Sequence, residues 1–278
     1  TGKDEGGGMS DSHEDKGYFR SGMPYNRFGG GKRTLVIFQG LMFENKPISG
    51  FMAKKFAEMY DSLLEDYTIY LVNRRPRLPE GSSLKDLADD YAEMIREEFG
   101  GPVDVLGIST GGSVVQHFAA DHPELVRKLV IHSSAYMLSE PAKEGQMRVA
   151  RLAERKKWRA AYAALMGVSL PKGPAGYLLK PLFFVISLFG GAFFGKPEDP
   201  SDTVTTIEAE DKHDFKDRLH EIQAPTLVIA GDKDPFYTVD LFRETAEGIP
   251  DSKLILYEGM GHPAGGKRFK RDLKDFLA

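Results

Sequence analysis

Short apolar runs rich in β-branched residues recur along the chain, and longer amphipathic segments separate them. The runs are almost wholly apolar rather than alternating, which is typical of strands that are covered on both faces. Alternation of such strands with helices predicts an α/β fold with a doubly wound, mostly parallel sheet. The predicted strands span residues 34–39, 67–72, 103–106, 128–132, 225–230 and 253–257.

The segments between these strands carry apolar residues at helical spacing. Residues 83–99 place Leu84, Leu87 and Tyr91 on one face, with charged residues opposite. Ser83 is a favourable N-cap residue, and the glycines from Gly100 onward end the pattern. Further helices are predicted over residues 49–64, 112–120 and 266–277.

Residues 138–202 interrupt this alternation. Their first half is basic with helical spacing and holds the only tryptophan, whereas their second half is strongly apolar. The uncharged stretch 181–195 is shorter than the ~20 residues that span a bilayer, and Gly190 and Gly191 lie inside it. We therefore predict a helical cap over 138–202, inserted between the core segments 18–137 and 203–278.

Residues 1–17 are rich in glycine, serine and acidic residues and have no apolar periodicity, so we predict a disordered tail. They lack the apolar segment of a secretory signal. Because no transmembrane segment is predicted either, the expected location is the cytoplasm.

The composition of the chain excludes several kinds of partner and site. A net charge of −4 gives no electrostatic case for nucleic acid as a partner. The absence of cysteine excludes disulfides, thiolate metal sites and a cysteine nucleophile. Nothing in the sequence indicates a metal or an organic cofactor, and the oligomeric state is not indicated.

The most informative motif is Gly107-Ile108-Ser109-Thr110-Gly111, which lies between a predicted strand and a predicted helix. Gly-x-Ser-x-Gly in this context is typical of a nucleophile elbow, a sharp turn that exposes a serine hydroxyl at the edge of the sheet. Glycines are needed on both sides because the chain approaches itself too closely for a Cβ atom. Ser109 is the predicted nucleophile.

A serine nucleophile of this kind is followed along the chain by an acid and then by a histidine. Gly231-Asp232-Lys233-Asp234 follows one predicted strand, and Gly261-His262 follows the next. In such a triad the histidine takes the serine proton, and the acid orients and stabilises the imidazole ring. His262 is the predicted base.

On these three motifs the sequence resembles the α/β-hydrolase superfamily over residues 18–278. The resemblance implies that Asp234 is the acid, with Asp232 as the alternative. It also implies that the backbone N–H groups of Thr110 and Leu41 form the oxyanion hole. The loop that contains Leu41 departs from the common family pattern, because Gln39 stands where a histidine is usual.

Two groups of residues allow both a structural and a functional interpretation. Arg74, Arg75 and Arg77 follow a strand at the sheet edge where ligands bind, so they could recognise an anionic group of a substrate. The preferred interpretation is structural: ion pairs and hydrogen bonds to nearby carboxylates and carbonyls. For the cap phenylalanines three interpretations stay open, and they are not exclusive. These residues pack the cap against the core, line an acyl pocket, or touch lipid transiently. They stand at positions 183, 184, 189, 193 and 194.

The expected function is hydrolysis of small-molecule carboxylic esters with an apolar acyl chain, through an acyl-enzyme. The same triad also serves C–C bond hydrolysis, amide cleavage or perhydrolysis, and sequence motifs do not separate these reactions. A third hypothesis is a ligand-binding protein with low turnover, against which the intact triad argues.

Overall fold

The computed structural model describes residues 15–168, 181, 185, 188–191 and 195–278. Within these residues eight strands form one sheet: β1 (Asp15–Tyr18), β2 (Pro24–Gly29), β3 (Arg33–Phe38), β4 (Tyr67–Val72), β5 (Val103–Ile108), β6 (Val126–His132), β7 (Thr226–Gly231) and β8 (Ser252–Tyr257). Their order in the sheet is β1-β2-β4-β3-β5-β6-β7-β8. The strands β1 and β2 pair in antiparallel fashion, as do β2 and β4, and all other neighbours are parallel.

Two apolar clusters cover the two faces of this sheet. Along β3 the side chains alternate between them: Leu35 and Ile37 belong to one cluster, Val36 and Phe38 to the other. Successive strand residues point to opposite faces, so a wholly apolar strand can fill two cores. The predicted doubly wound, mostly parallel α/β architecture is confirmed.

Helices cover both faces of the sheet. The described helices are α1 (Gly50–Met59), α2 (Leu84–Phe99), α3 (Thr110–Asp121), α4 (Glu140–Glu154), α5 (Trp158–Val168), α6 (Ser201–Asp211), α7 (Val239–Gly248) and α8 (Lys267–Leu277), with 3₁₀ turns at Asp61–Leu63, Pro123–Leu125 and Lys216–Glu221. The helices α2 and α3 pack together on the face that also carries the cap, whereas α8 packs on the opposite face. In α2 the predicted N-cap Ser83 forms a reciprocal capping box with Asp86, and Gly100 ends the helix in the left-handed conformation.

The first two strands were not predicted. The strand β1 begins at Asp15, inside the range 1–17 that the sequence assigns to a disordered tail, because Asp15 to Tyr18 pair with β2. The tail prediction is therefore too long by three residues at this end. Residues 1–14 lie outside the described residues.

The predicted cap, 138–202, contains α4 and α5, which pack against each other, and α4 also packs against α6. Phe189 is 62% exposed, whereas the phenylalanines at 183, 184, 193 and 194 lie outside the described residues. The limits of the cap stay a prediction. In the part of the chain that the structure covers, no helix has the length and apolar character needed to cross a membrane.

Candidate active site

The elbow serine has the backbone that the motif predicts. Ser109 lies between β5 and α3 with φ 52° and ψ −124°, a strained conformation for a residue with a side chain. A Cβ atom at Gly107 would lie 2.3 Å from the carbonyl oxygen of Gly111, and one at Gly111 would lie 2.0 Å from that of Phe38. Glycine is therefore required at both flanking positions.

His262 and Asp234 meet directly. The Nδ1–H group of His262 donates to Oδ2 of Asp234 at 2.7 Å, and the Asp234 side chain is fully buried. The other carboxylate oxygen accepts from the backbone N–H groups of Phe236, at 2.9 Å, and Tyr237, at 3.3 Å. Because the Nδ1–H group donates to the carboxylate, the Nδ1–H tautomer is favoured, and in this tautomer Nε2 carries no proton and can accept one.

Asp232, the alternative acid, has other partners. Its Oδ1 accepts from the backbone N–H group of Gly259 at 2.7 Å, and its Oδ2 lies 3.4 Å from Nζ of Lys233. The structure thus brings Asp234, and not Asp232, into contact with His262. The catalytic roles of Ser109, Asp234 and His262 stay predictions.

The end of β6 connects the serine turn with the histidine loop. The N–H group of Ser109 donates to the carbonyl of His132 at 3.0 Å, and Nε2–H of His132 donates to the carbonyl of Ala264 at 2.7 Å. Ser133 Oγ accepts from the N–H group of Ala264 at 3.0 Å. Burial lowers the pKa of His132 to about 3, so this connecting ring is neutral at pH 7.

The loop that contains Leu41 lies against the elbow. A Cβ atom at Gly40 would be 3.3 Å from Cβ of Ser109, so glycine permits this approach. Thr110 is the first residue of α3, where backbone N–H groups have no intrahelical acceptor. Leu41 and Thr110 border the same small cavity, so the two residues predicted to form the oxyanion hole lie near each other.

Glu210 is a buried acid that no sequence motif indicates. Its Oε2 accepts from the hydroxyl of Thr110 at 2.6 Å, and its Oε1 accepts from the hydroxyls of Ser113, at 3.2 Å, and Tyr237, at 3.3 Å. Burial raises the pKa of Glu210, although these hydrogen bonds oppose the shift. A glutamate in α6 thereby joins the elbow helix to the loop that carries Asp234.

Arg75 pairs with carboxylates, as the structural interpretation of these arginines predicts. Its Nε lies 3.2 Å from a carboxylate oxygen of Asp90, and its Nη2 pairs with Glu93. At Arg77 it is the backbone N–H group that binds, donating to Asp202 at 2.8 Å. In the described ranges no cluster of three acidic or histidine side chains is arranged to hold a metal ion.

Comparison with known families matches residues 34–266 to a model described as the alpha/beta hydrolase fold. The solved enol-lactonase from Burkholderia xenovorans LB400 is similar over 95% of this chain and 99% of its own, with a TM-score of 0.73 and 18% identity. At that identity the likeness concerns the fold.

Three curated relatives differ in the reactions they are named for. A poly(3-hydroxyalkanoate) depolymerase from Ectopseudomonas oleovorans is 28% identical over 58% of this chain, but the match spans only 55% of that protein. A pimeloyl-[acyl-carrier protein] methyl ester esterase from Chromobacterium violaceum is 27% identical, over 73% of this chain and 79% of its own. A 2-hydroxy-6-oxononadienedioate/2-hydroxy-6-oxononatrienedioate hydrolase from Paraburkholderia phymatum is 26% identical, over 91% and 90%.

Proposed function

The chain belongs to the alpha/beta hydrolase fold family, and we propose that it is a serine hydrolase that cleaves small carboxylic esters with an apolar acyl group. The observation that carries this proposal is the contact between His262 and the buried Asp234, on loops that follow neighbouring parallel strands. Ser109 lies on a strained turn after a strand of the same sheet, and His132 connects it to the histidine loop, through its carbonyl to Ser109 and through its ring to Ala264. Acyl transfer of this kind needs a base that contacts the nucleophile and an acid that contacts and orients the base.

In this mechanism Nε2 of His262 takes the proton of Ser109 while the serine oxygen attacks the ester carbonyl. The N–H groups of Leu41 and Thr110 donate to the oxyanion of the tetrahedral intermediate. His262 then protonates the leaving alcohol, and an acyl-enzyme remains. Water activated by the same ring releases the acid and restores the serine.

The preference for an apolar acyl group rests on the composition of the cap. Val185, Leu188 and Phe189 are large apolar residues there with more than two fifths of their surface exposed. Such residues can cover an acyl chain or touch a lipid surface transiently. The relative from Chromobacterium violaceum is named as a methyl ester esterase, which supports ester hydrolysis as the reaction of this chain.

Hydrolysis of a C–C bond is the second candidate. It is favoured by the relative from Paraburkholderia phymatum, which aligns with nine tenths of this chain. The same catalytic residues serve both reactions, and the shape of the pocket selects between them.

The test is hydrolysis of p-nitrophenyl esters from acetate to palmitate, with wild type beside Ser109→Ala. We expect turnover that peaks at one chain length and disappears in the variant. Absence of ester turnover, while a fluorophosphonate still labels Ser109, would favour the second candidate. Absence of both turnover and labelling would contradict serine catalysis and favour a ligand-binding protein.

A further inference from the structure

Arg74 differs from its neighbours Arg75 and Arg77, because its guanidinium group lies inside the protein. The residue is only 4% exposed. Its Nη1–H donates to the carbonyl of Met42 at 2.8 Å, whereas Nε and Nη2 have no hydrogen-bond partner within the described chain. An arginine on the surface would keep these groups in water.

A buried guanidinium group normally needs a carboxylate partner, since its desolvation costs several kcal/mol. Arg74 forms no ion pair with any described residue. Asp202 attracts it from a distance, but the oxygens of this carboxylate already accept from the N–H groups of Leu78, at 2.7 Å, and Arg77, at 2.8 Å. Burial lowers the pKa of Arg74 to about 10, so the group is still protonated at neutral pH. The result is an unpaired positive charge in a region of low dielectric constant.

This charge lies near the two predicted donors of the oxyanion hole. Arg74 lines a cavity of about 10 Å³, which is close to the size of one water molecule. The other walls include Leu41 and Thr110, the two predicted oxyanion-hole donors, and Gln39, whose Nε2 also has no partner in the described ranges. The cavity is too small for a substrate carboxylate, which argues against recognition of an anionic substrate group by Arg74.

We propose that Arg74 is a positioning residue of the oxyanion hole: it holds the loop of Leu41 through the Met42 carbonyl, and its buried charge stabilises the oxyanion. This inference rests on the proposed serine-hydrolase function. A fixed positive charge beside the forming oxyanion stabilises the transition state more than the neutral ground state. Loss of the charge should therefore lower kcat and leave KM nearly unchanged.

The test compares Arg74→Met with Arg75→Met, which removes a surface arginine of the same loop. With p-nitrophenyl butyrate we expect Arg74→Met to lower kcat about 10- to 100-fold at a KM within about 3-fold of wild type. The rate at which a fluorophosphonate labels Ser109 should fall by a similar factor, because the adduct places an oxygen in the same hole. Arg75→Met should keep both rates within about 3-fold, and circular dichroism reports whether each variant is folded.

A folded Arg74→Met with wild-type kcat and labelling rate overturns the inference, as does an equal loss in Arg75→Met. If Arg74→Met does not fold, Arg74→Lys and Arg74→Gln take its place, since both can donate to Met42 but only lysine keeps the charge. Equal rates in these two variants overturn the electrostatic role. A wild type that is labelled but cleaves no ester contradicts the proposed ester chemistry alone, and the labelling ratio still tests Arg74. A wild type that is neither labelled nor active overturns both.

Discussion

The hydroxyl of Thr110 donates to the carboxyl group of Glu210 across 2.6 Å, although the two residues are 100 positions apart. Thr110 is the predicted oxyanion donor that directly follows the nucleophile, and Glu210 lies in α6, which also packs against the cap helix α4. The contact therefore joins the elbow to the helix that follows the cap. Loss of this contact should therefore lower the free energy of unfolding.

We expect Glu210→Ala to lower the free energy of unfolding by about 3 kcal/mol. The substitution leaves the buried hydroxyls of Thr110, Ser113 and Tyr237 without this acceptor, and each unsatisfied buried group costs about 1–3 kcal/mol. Urea denaturation measures the loss. Glu208→Ala, on the same helix but partly exposed, should change the free energy by less than about 0.5 kcal/mol. A loss below about 0.5 kcal/mol in Glu210→Ala would show that the Glu210 contacts contribute little.

The two glycines Gly111 and Gly101 offer a matched test of the elbow. A Cβ atom at Gly111 would meet the carbonyl oxygen of Phe38 at 2.0 Å, and backbone atoms cannot move aside cheaply. Gly111→Ala should therefore destabilise the protein by about 3 kcal/mol or more and reduce labelling of Ser109. A Cβ atom at Gly101 meets nothing within 4 Å, so Gly101→Ala should leave the melting temperature and labelling close to wild type. Equal melting temperatures in both variants would contradict the close approach at the elbow.

Asp234→Asn and Asp232→Asn separate the two candidate acids. Asparagine at 234 no longer fixes the Nδ1–H tautomer of His262, and loss of that orientation lowers kcat by about 10⁴ in a serine triad. Asp232 binds the N–H group of Gly259 and makes no contact with the histidine ring in this structure. We therefore expect Asp232→Asn to keep kcat within about 3-fold of wild type. A larger loss in Asp232→Asn than in Asp234→Asn would reverse the assignment.

The sequence predicted the elements whose signal is local. The run of residues 67–72 is a strand with the predicted limits, and Ser83 caps α2, because apolar periodicity and capping depend on near neighbours. The strand β2 was missed because it contains Pro24, Asn26 and Arg27 and lies near the antiparallel edge. Its buried Asn26 is satisfied by the backbone of Ile48, a contact that the spacing of residues does not reveal.

The site could be predicted only as far as its motifs extend. Ser109, Asp234 and His262 each lie in a short glycine-containing motif, and the motifs follow one another in the order typical of a triad, so the contact between acid and histidine could be predicted. The burial of Arg74 and Glu210 could not, since charged residues are expected at the surface. Their environments arise from segments that meet only in the folded chain, such as α6 against the elbow helix. Helix α6 was itself missed, because threonines at its buried positions hide the apolar pattern.

The last prediction concerns the pH dependence of stability and the buried ring of His132. Burial lowers the pKa of His132 to about 3 in the folded protein, whereas an unfolded histidine titrates near 6.5. The unfolded chain therefore binds an extra proton between these values. The resulting stability is complete above about pH 6.5 and is lost progressively as pH falls towards 3, at about 1.4 kcal/mol per pH unit for each such group. His117, with a pKa of about 4, and His213, with a pKa of about 3, act in the same direction.

Replacement of His132 should make the free energy of unfolding depend less steeply on pH, because one fewer proton is bound on unfolding. We expect the free energy of unfolding of His132→Gln, measured by urea titration from pH 4.5 to 6.0, to depend less steeply on pH than that of wild type by about 1.4 kcal/mol per pH unit. The variant should also be less stable at pH 7, because the ring joins Tyr60, at 3.4 Å, to the carbonyl of Ala264, at 2.7 Å. Identical slopes in wild type and His132→Gln would mean that His132 is protonated in the folded state, and hence that its ring does not connect the serine turn to the histidine loop as a neutral group.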